Sequence, residues 1–242
     1  MNSTAEPTAM VGVPTGAVDV WLEDLSADDA LYAYFREILD ADEKTKAMRF
    51  VHETHRRQYI ISHGKLRAIL ASYLGMAPAT ISFTIAAYGK PHLTGKAAAL
   101  KFNLSHSGDK MAVAVGGYDY LGVDIEVWNS GMDLSGAAKT CFGDSEQATW
   151  HTATGQEKLA VFYQLWTRKE SFLKAVGMGM TLEAAKVITA TEGEPRFLSL
   201  PEGYPTHEWK LIDLKFGHGL SAALTVKAPD RPPINLKQWA KP

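Results

Sequence analysis

The sequence predicts an α+β fold in two halves, each built from one long helix and several strands. Three observations lead to it. Residues 57–74 and 156–176 carry apolar side chains at helical spacing, over lengths well beyond an ordinary strand. Most of the other apolar residues fall in short alternating or β-branched runs. Gly- and Pro-containing links punctuate those runs as turns.

The chain has 242 residues, enough for one large domain or two small ones. At 46% hydrophobic and 21% charged it has the composition of an ordinary globular protein. A formal net charge of −2 exerts no global pull on nucleic acid, so no nucleic-acid partner is expected. Cys141 is the single cysteine. No intrachain disulfide can form, a reducing cytoplasm fits, and Cys141 is expected to be a small buried hydrophobe. No apolar run approaches the length of a membrane span. The first sixteen residues lack a basic start followed by an apolar core, so no signal peptide is expected. They read as a flexible tail.

Val18 to Leu22 alternates and predicts a first strand. Ser26 reads as an N-cap, with Asp28 and Asp29 in the first turn of a helix through Leu39. Asp40 to His55 is dense in charge, with Glu43, Lys44, Lys46, Arg49 and His52; it fits a solvated helix face or a basic rim for a polyanion. Arg57 to Leu74 is amphipathic and ends at Gly75, a C-cap. Ile81 to Ile85 alternates as a strand. Gly89-Lys90-Pro91 is a turn by local chemistry. Phe102 to Ser107 enters as a strand and ends in a polar turn. Met111 to Val115 is a short apolar strand that Gly116-Gly117 turns back into Tyr120 to Glu126.

The second half begins there. Residues 134–140 and 145–152 predict short helices, with Ser145 as a cap and Glu146 as a first-turn acid. Gln156 to Val176 is the second long helix and closes at Gly177 to Gly179. Residues 185–189, 197–200, 208–214 and 220–226 read as strands. The expected division is a tail over 1–16, an N-terminal half over 17–117, a C-terminal half over 118–228 and a Pro-rich tail over 229–242.

Two stretches carry chemistry. Strand side chains alternate, so Asp124 and Glu126 share one face while Val123 and Ile125 take the other. Two carboxylates on one wall suit a hard cation such as Mg²⁺, which fills its shell with water and phosphate oxygens. The same pattern fits a strand end with two solvated acids. In the second stretch, Glu170 and Lys174 stand four apart on one helix face, as a surface ion pair or as part of a phosphate-transfer site.

Gly-Val-Asp-Ile-Glu over 122–126 and Trp-x-x-Lys-Glu-Ser-x-x-Lys over 166–174 together resemble the two signature motifs of the 4′-phosphopantetheinyl transferases. Tyr88-Gly-Lys-Pro91 and Phe102-Asn-Leu-Ser-His-Ser107 precede them in the order of the larger, surfactin-synthetase-activating (Sfp) type. The resemblance runs from about Asp40 to about Ala228. It implies a pseudo-dimer of two similar α+β halves, each a long helix on a small, mostly antiparallel sheet, with coenzyme A in the cleft between them. It implies Mg²⁺-dependent transfer of the 4′-phosphopantetheine arm to a serine of an apo acyl or peptidyl carrier protein, with adenosine 3′,5′-bisphosphate as the other product. The carrier would serve fatty-acid, polyketide or nonribosomal-peptide synthesis, and the enzyme would act as a monomer.

Residue roles follow from the same resemblance. Asp124, Glu126 and Glu170 would hold Mg²⁺. Lys174 would stabilise the leaving phosphate, and Glu170 or a water would take the serine proton. Lys90, His106 and either Ser105 or Ser107 would contact phosphate, Pro91 would pack on the adenine, and Lys46 and Arg49 would bind the 3′-phosphate. Glu43 stands where some members carry a basic residue. Lys169 would add positive potential. Met132, Leu134, Cys141 and Phe142 would either meet the carrier or close the core of the second half. Two rival readings share these residues: a Mg²⁺-dependent hydrolase of a nucleotide diphosphate, and a coenzyme A- or carrier-binding module without catalysis.

Overall fold

The computed structural model describes residues 12–179 and 183–239. Its strands gather into two main sheets. The first contains β1 (Val18–Asp24), β4 (Lys101–Ser107), β5 (Lys110–Gly116) and β11 (Ile234–Lys237), in the order β11-β1-β5-β4. The second contains β6 (Leu121–Val127), β9 (Trp209–Leu214) and β10 (Leu220–Lys227), in the order β6-β10-β9. All pairings are antiparallel except β1 with β11. Two small ribbons, β2 (Phe83–Ile85) with β3 (Pro91–Leu93) and β7 (Ile188–Thr189) with β8 (Phe197–Ser199), complete the strands.

The helices are α1 (Asp29–Ile38), α2 (Ala41–Met48), α3 (Glu53–Leu74), α4 (Leu134–Cys141), α5 (Asp144–Thr152) and α6 (Gly155–Val176). The α+β expectation of a long helix and an antiparallel sheet in each half therefore describes the architecture. Four layers result. On its outer face β5 presents Met111, Val113 and Val115 to Ile61, Leu66 and Ile69 of α3. On its inner face it presents only Ala112 and Ala114, whose small side chains let the second sheet approach. Leu121, Val123 and Ile125 of β6 meet them there, with Val18 and Val20 of β1. Helix α6 covers the far face of the second sheet through Phe172, Leu173 and Ala175.

Several local expectations need correction. Asp28, not Ser26, caps α1, its carboxylate accepting from the Leu31 amide. Helix α3 begins at Glu53, four residues before the expected start. Ser145 lies inside α5, where Glu146 accepts from the Gly143 amide. Residues 1–11 and 240–242 of the expected tails lie outside the described residues, as do 180–182. Residues 234–237, expected within the C-terminal tail, form β11. Two buried acids hold that segment down. Asp19 accepts from Asn235, and Glu23 accepts from the Trp239 amide and from Lys65 of α3. The alternation of Ile234 and Leu236 with polar neighbours was too short a pattern to announce a strand.

Glu43 also finds a structural explanation. It caps α2 reciprocally with Asp40, and both acids ion-pair with Arg67, which is fully buried. Burial alone would raise the Glu43 pKa. The His63 hydrogen bond and charge and the Arg67 guanidinium outweigh it and hold that pKa below its ordinary value.

Strand β6 is buried on both faces, and Gly122 is the reason α6 can lie against it. A Cβ there would stand 2.1 Å from the Ser171 carbonyl oxygen and 2.3 Å from the Ala175 nitrogen. Both are backbone atoms, so the helix itself must move. Gly122→Ala is expected to lower stability by about 3 kcal/mol, read from the urea midpoint with an unchanged slope.

Candidate active site

The site lies where β4 of the first sheet runs beside β6 and the C-terminal half of α6. Trp166, Glu170 and Lys174 recur every four residues, so they line one face of the helix. Asp124 and Glu126 alternate with apolar Val123 and Ile125 and therefore leave the inter-sheet core on the opposite face. That face is the one that α6 covers.

The centre is a three-element node. The Lys174 Nζ donates to Asp124 Oδ1 at 2.6 Å and to Ser105 Oγ at 2.6 Å. Ser105 donates in turn to Asp124 Oδ1 at 2.8 Å. Asp124 is only 2% exposed, and its Oδ2 is buried without a hydrogen-bond partner. A charged oxygen in that state is costly unless a cation or donor completes it.

The other two carboxylates share the strain. Burial, then the Asp124 charge, raise the Glu170 pKa, with Lys174 opposing them. Burial raises that of Glu126 most, with the Asp124 charge adding to it, while hydrogen bonds from Ser107 and the Trp166 indole and the Lys174 charge oppose. Three acids with one ammonium form an electron-rich wall. Among the described residues, however, no three His, Cys, Asp or Glu side chains stand together at metal-ligand spacing. The orphaned Asp124 oxygen and an all-oxygen donor set fit a hard cation held by one or two carboxylates, with phosphate and water completing the shell. The expected three-carboxylate cage is not assembled in this arrangement.

The remaining expected residues divide. His106 keeps an exposed surface on β4, but the protein packed around it, then the charges of Lys174 and His63, lower its pKa and favour the neutral ring. His63 stacks on Tyr59 with ring centroids 4.0 Å apart, and Lys46 lies over the same tyrosine. Arg49 is exposed at the end of α2, and no hydrogen bond or ion pair joins it to the carboxylates. Lys90 departs from its expected role. Its ammonium donates to the carbonyls of Leu121 and Ala175, both at 2.9 Å, and so clamps the first half to the start of β6 and the end of α6. Burial, then Lys101, lower its pKa to about 8. Pro91 lies beside it, on a cavity of about 450 Å³ shared with His92, Phe102 and Tyr120.

Lys169 turns away from the wall. It is buried against Glu146 at 2.6 Å and donates to the carbonyls of Ala184 and Val187. Cys141 and Phe142 lie in the core beneath α4 and α5, whereas Met132 is 44% exposed. Trp166, which faces Glu126, was expected only as a motif and core residue, and Ser107, which donates to Glu126, as a phosphate contact. The four-residue step from Trp166 to Glu170 was the available signal for the first.

Comparison with known proteins gives the family. The family model described as the 4′-phosphopantetheinyl transferase superfamily matches residues 120–225. A second, described as 4′-phosphopantetheinyl transferase, N-terminal, matches residues 26–116. The 4′-phosphopantetheinyl transferase HetI of Nostoc sp. is 32% identical over 211 residues, covering 86% of this chain and 87% of its own. The 4′-phosphopantetheinyl transferase Sfp of Bacillus subtilis is 26% identical over 200 residues, covering 82% and 86%. A solved holo-(acyl-carrier-protein) synthase from Bacillus anthracis, in complex with CoA, overlays with a TM-score of 0.39 at 18% identity, covering 45% of this chain and 95% of its own.

The raised Glu170 pKa has a consequence for stability. The folded state takes up this proton more readily than the unfolded chain, so the contribution of Glu170 falls as pH rises above its ordinary value of 4.5. Glu170→Gln is expected to raise the melting temperature by about 2 °C at neutral pH. The gain should vanish in acid below that value, where both forms are neutral. Differential scanning fluorimetry at the two pH values checks it.

Proposed function

The chain belongs to the 4′-phosphopantetheinyl transferase superfamily, and we propose that Asp124, Glu126, Glu170 and Lys174 carry the chemistry of that reaction. The reaction moves the 4′-phosphopantetheine arm of coenzyme A onto a serine hydroxyl of an apo carrier protein and releases adenosine 3′,5′-bisphosphate. The observation that supports the residue assignment is the node of Lys174, Asp124 and Ser105, which gathers one ammonium and a buried carboxylate from three separate elements.

Each side chain has a task that its surroundings suit. Asp124 and Glu126 would hold Mg²⁺, with Glu170 approaching from α6. When bound, the ion would neutralise the pyrophosphate, a charge effect at the centre of phosphoryl transfer. The Lys174 ammonium would stabilise the oxygen that becomes negative as the phosphoanhydride breaks. Glu170, or a water beside it, accepts the proton of the carrier serine. His106 and Lys46 contact phosphates, and Arg49 supplies further charge. Pro91 packs on the adenine, while Lys90 keeps the two halves in register from beneath. Ser105 acts chiefly through Asp124, since its hydroxyl proton is already donated.

The carrier docks near the cleft, in the segment between the two motifs, with Met132 and Leu134 as apolar contacts. Both halves of the cleft come from one chain, which supports a monomer. We place the enzyme in the cytoplasm, where a single buried thiol stays reduced. No described helix is long and apolar enough to cross a membrane.

Intact mass spectrometry of an apo carrier incubated with the chain, coenzyme A and Mg²⁺ tests the reading. The expected result is a gain of one phosphopantetheine arm, lost with chelator and lost when the acceptor serine becomes alanine. Asp124→Ala and Glu170→Gln should each slow the gain by about a hundredfold or more while the far-ultraviolet circular dichroism stays that of the wild type. Near-normal turnover in either variant at saturating Mg²⁺ would remove that residue from the site.

A further inference from the structure

We infer that Ser107 is a positioning residue that fixes the Glu126 carboxylate from the opposite half of the molecule. Strand β6 is the edge of its sheet, and the amides of Val123, Ile125 and Val127 find no strand partner on that side. Strand β4 supplies the acceptors from its side chains. Asn103 Oδ1 accepts from Val123 at 2.8 Å, Ser105 Oγ from Ile125 at 3.4 Å and Ser107 Oγ from Val127 at 3.2 Å. The three acceptors alternate along β4, as the three amides do along β6.

This ladder determines where the hydroxyl protons go. A serine hydroxyl has one proton and two lone pairs. With an amide directed at the Ser107 oxygen, the proton turns to Glu126 Oε2, 2.5 Å away. Ser107 therefore has no proton to offer a phosphate. The Trp166 indole faces the same carboxylate from α6. Glu126 is carried by the second half and held by a hydroxyl from the first, so its orientation depends on how the halves dock. Outer partners of this kind orient metal-binding carboxylates, and losing one typically weakens the metal about 10- to 100-fold.

The inference rests on Glu126 as a cation ligand, so the experiment tests the two separately. Mn²⁺ binding to the full chain with coenzyme A present is measured by isothermal titration calorimetry, alongside kcat and KM for coenzyme A. Ser107→Ala is expected to weaken Mn²⁺ binding about tenfold, to lower kcat at limiting metal more than it changes KM, and to be rescued by Ser107→Thr, which keeps the hydroxyl. Unchanged Mn²⁺ affinity in Ser107→Ala, or equal loss in the alanine and threonine variants, overturns the role of Ser107. Unchanged affinity and turnover in Glu126→Gln instead overturns Glu126 as a ligand. Should Ser107→Ala fail to fold, Ser107→Cys replaces the hydroxyl with a weak donor of similar size, and the same weakening is expected.

Discussion

The free edge of β6 is the constraint on which the rest of the structure depends. A buried strand edge must satisfy its amides, and here no strand is available to do so. Side chains of β4 take that role, and they can do so only because the two sheets lie close together. The alanines of β5 and the absent side chain of Gly122 serve the same end, one by thinning the layer between the sheets and the other by letting α6 settle on β6. The acids of β6 are thus placed by packing and by hydrogen bonding together.

That placement concentrates negative charge where water is scarce. A lone ammonium on Asp124 leaves one oxygen of that residue without a partner, and the neighbouring carboxylates are pushed toward their neutral forms. The protein holds this arrangement through neutral, well-satisfied surroundings. Buried ion pairs elsewhere, Arg67 with Asp40 and Glu43 and Lys169 with Glu146, are completed by carbonyls or amides. Among the described residues, Asp124 Oδ2 is the one buried side-chain oxygen left without a partner.

Much of the fold and the centre of the site could be read in the sequence, because both rest on short-range periodicity. Alternation put Asp124 and Glu126 on one face, and a four-residue step put Glu170 with Lys174. What periodicity reports is a face, not the partner that the face meets. Lys169 neighbours Glu170 in the chain but points about 100° away around the helix, into the Glu146 pair. Lys90 carries the charge that a phosphate would want, yet its reach ends on two carbonyls that come from distant parts of the chain. Glu43 read as a missing basic residue because Arg67, its partner, lies twenty-four positions on. Ser107 read as a phosphate contact at a polar turn, since the edge it completes belongs to another sheet.

The position of β11 bears on how the polypeptide reaches this state. Its place is beside β1, yet in the chain it follows every element of the second half. As the polypeptide leaves the ribosome, the first sheet emerges with the outer edge of β1 bare, and Asp19 and Glu23 lack the Asn235 side chain and the Trp239 amide. The sheet closes only after the second half has been synthesised. Maturation is therefore not a matter of one half folding and the next following. The first half waits in an incomplete form, with an edge open to stray pairing, until the end of the second supplies its last strand.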